Sequence, residues 1–412
     1  MSSSVTVIGG MNNGALSGLV ATPLNGVTGT VLSGLQAALT AISNQVVAGT
    51  AAFTNIDQAT GQSLSSSGSS SSGGLFVISD NYFGTAPVAS PTSAYTVGSA
   101  YSNVIVQATG TETVTASNNA NQMFVLGANS NVDLFTGSGT GSVLAAGGND
   151  TLNLQGSQAA AITAGQARVK SYQGNATVAA TGSSSVFASV VKGYAGTMTF
   201  VNESSAAATV AGGSGTITVF GGTAGGTFTG GTAGNNMLVG GTGAAVLVGG
   251  GNNDTLEAGF ASTGGAATSA VTGNDYLFAG VGNETLLAST ATGTNLFQAG
   301  VGSDVISTAG SGDQFFFGNS GSATMTGSST SGAVNVYFFG TPTATGGNDV
   351  ITNFNLKTDK LFAIDGTNIT SITGSNVGGT PGVLVSLSDG TQITLQGLTV
   401  NQTSVFSGSS FI

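Results

Sequence analysis

The sequence predicts an all-β protein, a parallel β-roll or β-solenoid with a short N-terminal helix and a C-terminal β-hairpin cap. Three observations predict it. From Gly212 to Phe316 the chain divides into units of nine: GGSGTITVF, GGTAGGTFT, a lone Gly230, then GTAGNNMLV, GGTGAAVLV and GGGNNDTLE. After a twelve-residue insertion (Ala258 to Ser269) the frame resumes with AVTGNDYLF and AGVGNETLL, skips Ala288 and Ser289, and ends with TATGTNLFQ, AGVGSDVIS and TAGSGDQFF. The eighth place of every unit is apolar: Val219, Phe228, Leu238, Leu247, Leu256, Leu277, Leu286, Phe297, Ile306 and Phe315. Small residues, glycine above all, fill the turn half. A helix would repeat its apolar face every three or four residues, so this period belongs to short stacked strands joined by tight glycine corners.

Composition narrows the function classes. Of 412 residues 69 are glycine and only 5% are charged, against about a quarter in an average chain. The surface is therefore mostly Ser, Thr, Asn and Gly. Net charge is −11, and the cations are Arg168, Lys170, Lys192, Lys357 and Lys360 alone. No basic stripe exists for nucleic acid. Ten of the sixteen acids lie from Asp254 onward. With no Cys, disulfides cannot staple the fold. Lacking His and Cys, the chain lacks the usual general bases, activated nucleophiles and zinc ligands. The carboxylate pairs Asp349 with Asp359 and Asp304 with Asp313 have a role as metal or turn residues, so the sequence predicts no enzyme.

In chain order, residues 1–60 form an N-terminal helical cap or assembly segment. The first residues lack the basic region and apolar block of a secretory signal. Between Thr28 and Val47, Val31, Leu32, Leu35, Leu39, Ile42 and Val46 recur at helical spacing, in a stretch too short and too polar to span a bilayer. That helix caps the solenoid or attaches it to a neighbour. Residues 61–74, GQSLSSSGSSSSGG, read as a flexible linker or an ordered loop. Residues 75–211 are strand-rich but irregular, with GGNDTLNLQG around Asp150 as one good repeat; they form a solenoid-like region or a separate β-sandwich. The nonapeptide roll occupies 212–316, and 317–412 form the C-terminal cap.

The units resemble the repeats-in-toxin nonapeptide GGxGxDxUx, where U is a large apolar residue. That resemblance implies a parallel β-roll binding calcium in its turns through the sixth-place aspartate. Here the sixth places are Ile217, Gly226, Asn236, Ala245, Asp254, Asp275, Glu284, Asn295, Asp304 and Asp313. Ile, Gly and Ala supply no side-chain ligand to a cation that takes six to eight oxygens. The resemblance implies calcium, at a few sites, between units two apart: Asp275 with Asn295, Glu284 with Asp304, Asn295 with Asp313, and Asp254 with Asn236 or Glu284. The tail adds a second match. TGGNDVITNFNLKTDKLFAIDGT, and the DGTQITLQG that follows, resemble the C-terminal segment of proteins of this family exported by type I secretion. Gly347, Asn348, Asp349, Ile351, Phe354, Asp359 and Leu361 carry the match, Asn353 stands where Asp is usual, and Ser410 precedes the final Phe411 and Ile412. Asp349 joins the implied metal residues.

The resemblance implies an extracellular, secreted or cell-surface protein of a Gram-negative bacterium, similar to surface-layer and matrix proteins. Its expected function is a self-assembling structural protein of a surface layer, filament or biofilm matrix. Its partners are then other copies of itself, the type I secretion apparatus and cell-surface polysaccharide, with no nucleic acid and no membrane span. The alternative is an adhesin or carbohydrate-binding protein, whose sign would be an aromatic cluster on one face. Phe315, Phe316, Phe317 and Tyr337, Phe338, Phe339 are its candidates, though these runs also suit a wide core. A third option, ice binding through a Thr ladder, finds only two rungs, Thr216 with Thr218 and Thr227 with Thr229.

Overall fold

The computed structural model describes residues 4–8, 11–12, 15–16, 19–23, 52–57, 62–66, 73–79, 93–107, 110–117, 121–127, 129–162, 166–180, 184–190, 196–258, 274–288, 293–310, 314–318, 321–340, 346–399 and 401. Among them there is no helix, and the helix expected over 28–47 lies outside them. None is long and apolar enough to cross a membrane. The chain divides into two compact units, Met1–Ala206 and Ala207–Ile412, and each is a parallel β-solenoid.

Unit 1 begins with two antiparallel pairs, Ser4–Ile8 with Leu19–Pro23 and Met11–Asn12 with Ala15–Leu16, ahead of the stretch expected to be helical. The serine-rich stretch expected to be a linker or loop holds a strand, Gln62–Ser66, paired antiparallel with Phe53–Asp57. From there the strands alternate between two parallel sheets. One runs Phe53–Asp57, Gly74–Ser79, Tyr101–Val106, Gln122–Leu126, Thr140–Ala145, Ser157–Ile162, Asn175–Ala180 and Thr197–Asn202. The other runs Ser93–Val97, Thr111–Ala116, Asn131–Phe135, Asn149–Gln155, Gln166–Gln173 and Ser185–Val190. The region read as solenoid or sandwich is therefore a coil. Its core is a file of stacked rungs, Val114, Leu134, Leu152, Val169 and Ala188, each in register with the last and buried.

Unit 2 repeats this plan with shorter strands and tighter corners. Alternate nonapeptides feed alternate sheets, so the eighth-place residues form two buried files. One runs Val210, Phe228, Leu247, Leu277, Phe297, Phe316, Tyr337 and Leu361. The other runs Val219, Leu238, Leu256, Leu286, Ile306, Met325, Ile351 and Leu395. The insertion leaves the ladder undisturbed, because Leu247 still pairs Leu277 and Leu256 still pairs Leu286. One rung differs from expectation. Phe316, not Phe315, stacks on Phe297, because the turn after Ile306 takes one residue more than the nine-residue frame allows.

Corners need backbone that most side chains resist. Gly225 sits at φ +70, where a Cβ would meet the Ala244 carbonyl oxygen at 1.8 Å. At the same kind of exit Asn235 and Asn253 adopt φ 54 and 61, the left-handed region that Asn tolerates. The tail closes the coil as an antiparallel meander, Ile369–Val377, Thr380–Leu387 and Gln392–Gln396. Its last strand joins Asn348–Thr352 in parallel, covering an edge that would otherwise invite association.

The rung is thus the unit of stability. Leu247→Ala in mid-file should cost about 2–5 kcal/mol, as deletion of a buried leucine does elsewhere. Its outward neighbour Thr227→Ala should stay within about 0.5 kcal/mol. Urea titrations followed by circular dichroism measure both, and equal costs would remove the ladder from this account.

Candidate functional site

Two places before each rung, the sixth-place side chain also turns inward. One polar column runs Asn236, Asp254, Glu284, Asp304 and, past Ala323, Asp349; the other runs Asp275, Asn295, Gln314, Asn335 and Asp359, and all ten are at most 2% exposed. Their first task is local. Asp254 Oδ2 accepts the Gly250 amide and Asp304 Oδ2 the Gly300 amide, each at 2.6 Å, so the carboxylate closes the glycine turn of its own unit. Their second task reaches back one coil. Asp254 Oδ1 accepts from the Asn236 amide at 2.8 Å, Asp304 Oδ1 from the Glu284 amide at 3.0 Å, and Asp349 Oδ1 from the Ala323 amide at 2.8 Å. Asp275 Oδ1 does the same for the Ala245 amide at 2.8 Å, and Asn295 Oδ1 for the Asp275 amide at 3.3 Å. A side-chain oxygen thereby satisfies an amide at the coil corner, where the ladder of backbone bonds has not yet begun.

The pairs implied between units two apart are stacked neighbours: Asp254 over Asn236, Glu284 over Asp254, Asp304 over Glu284 and Asn295 over Asp275. The pair of Asn295 with Asp313 lies outside what the structure describes. Asp313 is not among the described residues, and Asn295 Nδ2 donates to Gln314 Oε1 at 3.1 Å. Gln314 and Asn335 belong to the column without having been singled out, and Asp150 in unit 1 plays the same part, accepting the Val132 amide at 3.0 Å. The signal was present in each case as a polar residue two before a large apolar one: Gln314 before Phe316, Asn335 before Tyr337, Asp150 before Leu152.

Neighbours differ in how well they are satisfied. Asn236 Nδ2 donates to Asp254 Oδ1 at 2.8 Å, and Asn335 Nδ2 to Asp359 Oδ1 at 3.0 Å, so amide over carboxylate is a good stack. Carboxylate over carboxylate is not. Glu284, between Asp254 and Asp304, has both oxygens buried with no hydrogen-bond partner, and Oδ2 is left so on Asp275 and Asp349, which have no carboxylate directly above or below them. Burial pushes the Asp275 carboxyl up to about 6 and those of Asp349 and Asp150 up to about 7. Burial, then the Asp304 and Asp254 carboxyls on either side, pushes Glu284 up as well. Such oxygens call for a proton or a cation. Among the described residues no three acidic side chains converge on one point. A calcium ion would therefore take one or two carboxylates from this set and draw its remaining oxygens from turn carbonyls and water. Glu284, Asp275 and Asp349 fit that role, whereas Asp254, Asp304 and Asn295 have hydrogen-bonded oxygens.

The outside of unit 2 carries a second feature. The aromatic runs split between the two sides of one sheet: Phe316, Tyr337 and Phe339 are buried, while Phe315, Phe317 and Phe338 face out. They belong to two outward columns, Val246, Tyr276, Leu296, Phe315, Val336 and Lys360, and Val248, Phe278, Gln298, Phe317, Phe338 and Phe362. Ten of these twelve are apolar and none is acidic. Phe317 stacks on Phe338 at 4.6 Å and 11°, and Phe338 on Phe362 at 5.3 Å and 15°, so ring edges rather than ring faces meet solvent.

The chain matches no protein-family model and no curated protein.

The raised carboxyls set a pH dependence. In the folded coil these groups keep protons that the unfolded chain has lost above about pH 4. With chelator present, stability should be greatest near pH 4 and fall as pH rises through about 6 to 7, by up to about 1.4 kcal/mol per pH unit for each group. Asp150→Asn should remove its share, raising the melting temperature at pH 8 and leaving it unchanged at pH 4. Calorimetry across that range decides the matter, and a flat profile would show the carboxyls to be solvated.

Proposed function

We propose that this is a secreted, self-assembling extracellular structural protein, a component of a surface layer, filament or biofilm matrix, steadied by calcium. The observation that carries the reading is the outward apolar columns of unit 2. Tyr276 is exposed and the other nine apolar side chains are half-buried, and a continuous strip of partly exposed apolar side chains marks a surface that another macromolecule covers. A second copy suits it, since the face bears no carboxylate in a chain of net charge −11 and two such faces meet without like-charge repulsion. The rings argue against a sugar at this face. A sugar's C–H groups stack on an open ring face, and here those faces are spent on one another.

Export by type I secretion supports the same reading through the tail. The residues that carry the resemblance, Asp349, Ile351, Phe354, Asp359 and Leu361, are also buried parts of the last coils, so one stretch serves as address and as structure. In a cytosol poor in calcium, stacked carboxylates would hold the coil open; outside, calcium would offset their repulsion and favour the folded form by binding it alone. The residues expected to hold it are Glu284, Asp275 and Asp349.

Two measurements test this reading. At pH 8, millimolar calcium should raise the melting temperature by several degrees, with Glu284→Gln keeping the fold and losing much of that rise. Electron microscopy of the purified protein in calcium should show ordered assemblies. Phe338→Glu, which places a charge on the outer face, should leave monomers with an unchanged circular dichroism spectrum. Monodisperse wild-type monomers at high concentration, with and without calcium, would overturn the assembly role.

A further inference from the structure

Unit 1 places two of the chain's five cations side by side. Strand Gln166–Gln173 buries Ala167, Val169 and Ser171 and turns Gln166, Arg168 and Lys170 outward. On the next strand Phe187 lies in register with Arg168, at 46% exposure the most open aromatic side chain among the described residues. On the other side lie Thr151 opposite Arg168 and Asn149 opposite Gln166. Together with Ser185 they line an open cleft of about 530 Å³ on the outer face. Asp150 also lines it, but its carboxylate is buried and accepts the Val132 amide and the Ser130 hydroxyl, and Lys170 lies outside the lining, two residues along the strand from Arg168. In a protein of net charge −11 with so few cations, an arginine, an uncovered ring and neutral amides lining one cleft, with a lysine close by, form a chemically specific set.

We propose that this cleft binds a carboxylated sugar, one uronate unit of an acidic polysaccharide. The Arg168 guanidinium presents a planar fork that matches a carboxylate in two parallel hydrogen bonds, and Lys170, two residues along the same strand and outside the cleft lining, adds a positive charge nearby. The Phe187 ring offers an apolar platform for the C–H face of the sugar. Asn149, Gln166, Thr151 and Ser185 supply neutral donors and acceptors for ring hydroxyls. Two cations suffice for one carboxylate and fall well short of the phosphate contacts that nucleic acid requires. Asp133, one coil beyond Thr151 with its carboxylate taken by Asn153 Nδ2 at 2.6 Å, repels a second acid group at that end. The ligand's charge is thereby directed to the Arg168 end. Unlike the outer rings of unit 2, which stack on one another, Phe187 has Arg168 rather than an aromatic neighbour on the preceding strand.

This site goes beyond the assembly role and does not rest on it. The test is a titration of the full chain with polygalacturonate in chelator at pH 7, beside carboxyl-reduced polygalacturonate as the neutral probe. The expected result is binding of the acidic polymer only, weakened tenfold or more by Arg168→Gln and severalfold by Phe187→Ala, and falling with salt. Both side chains point outward, so circular dichroism should be unchanged in each variant. Phe338→Glu, expected to block assembly, should bind as wild type does. Equal binding of the neutral polymer, wild-type affinity in both the Arg168 and Phe187 variants, no binding by the wild type, or loss of binding in Phe338→Glu would overturn the assignment.

Discussion

In-register parallel stacking is the constraint on which the rest depends. Each strand lies directly over the strand one coil earlier, so every residue meets its own counterpart about 4.8 Å away. A rung such as Leu247 is buried because Phe228 and Leu277 lie below and above it and the opposite sheet closes the inside. Turns must then superpose as well, and only glycine or left-handed asparagine fits where one turn's carbonyl approaches the next turn's Cα. A residue that breaks the stack disturbs two neighbours at once, which gives the coil its nearest-neighbour energetics.

The same constraint explains the polar columns. Stacking like on like suits apolar side chains and suits amides, which donate along the column and accept from the backbone. It suits carboxylates badly, since two buried negative oxygens a coil apart have nothing to share but a proton or a cation. Asn236 over Asp254 and Asn335 over Asp359 are self-sufficient, and the run Asp254, Glu284, Asp304 is not. The chain thus carries two solutions at the same place of the repeat, one complete in itself and one open to its surroundings.

Outside the coil, stacking makes surface chemistry additive. A single outward phenylalanine is ordinary, but Phe317, Phe338 and Phe362 in register become a continuous apolar strip. By the same geometry Arg168 is set beside Phe187 and Thr151, three residues far apart in sequence that sit on consecutive coils of unit 1.

The nine-residue period was legible in the sequence because the local demands of a turn and a buried rung recur in every unit and leave their mark on residue type. It identified the strands of 212–316, all but one of the rungs, and the polar place two residues earlier. Residues 75–211 were legible as solenoid-like but not separable from a β-sandwich, since longer strands with fewer glycines repeat at uneven intervals of 17 to 20 residues and obscure the period. Only the tertiary structure decided that Phe316 takes the rung expected of Phe315, because a single extra residue in a turn reverses which side of a strand faces the core. It also decided which carboxylates are satisfied and which outward residues meet. Those outcomes depend on the coil above and below, and a strand's own sequence does not record its neighbours.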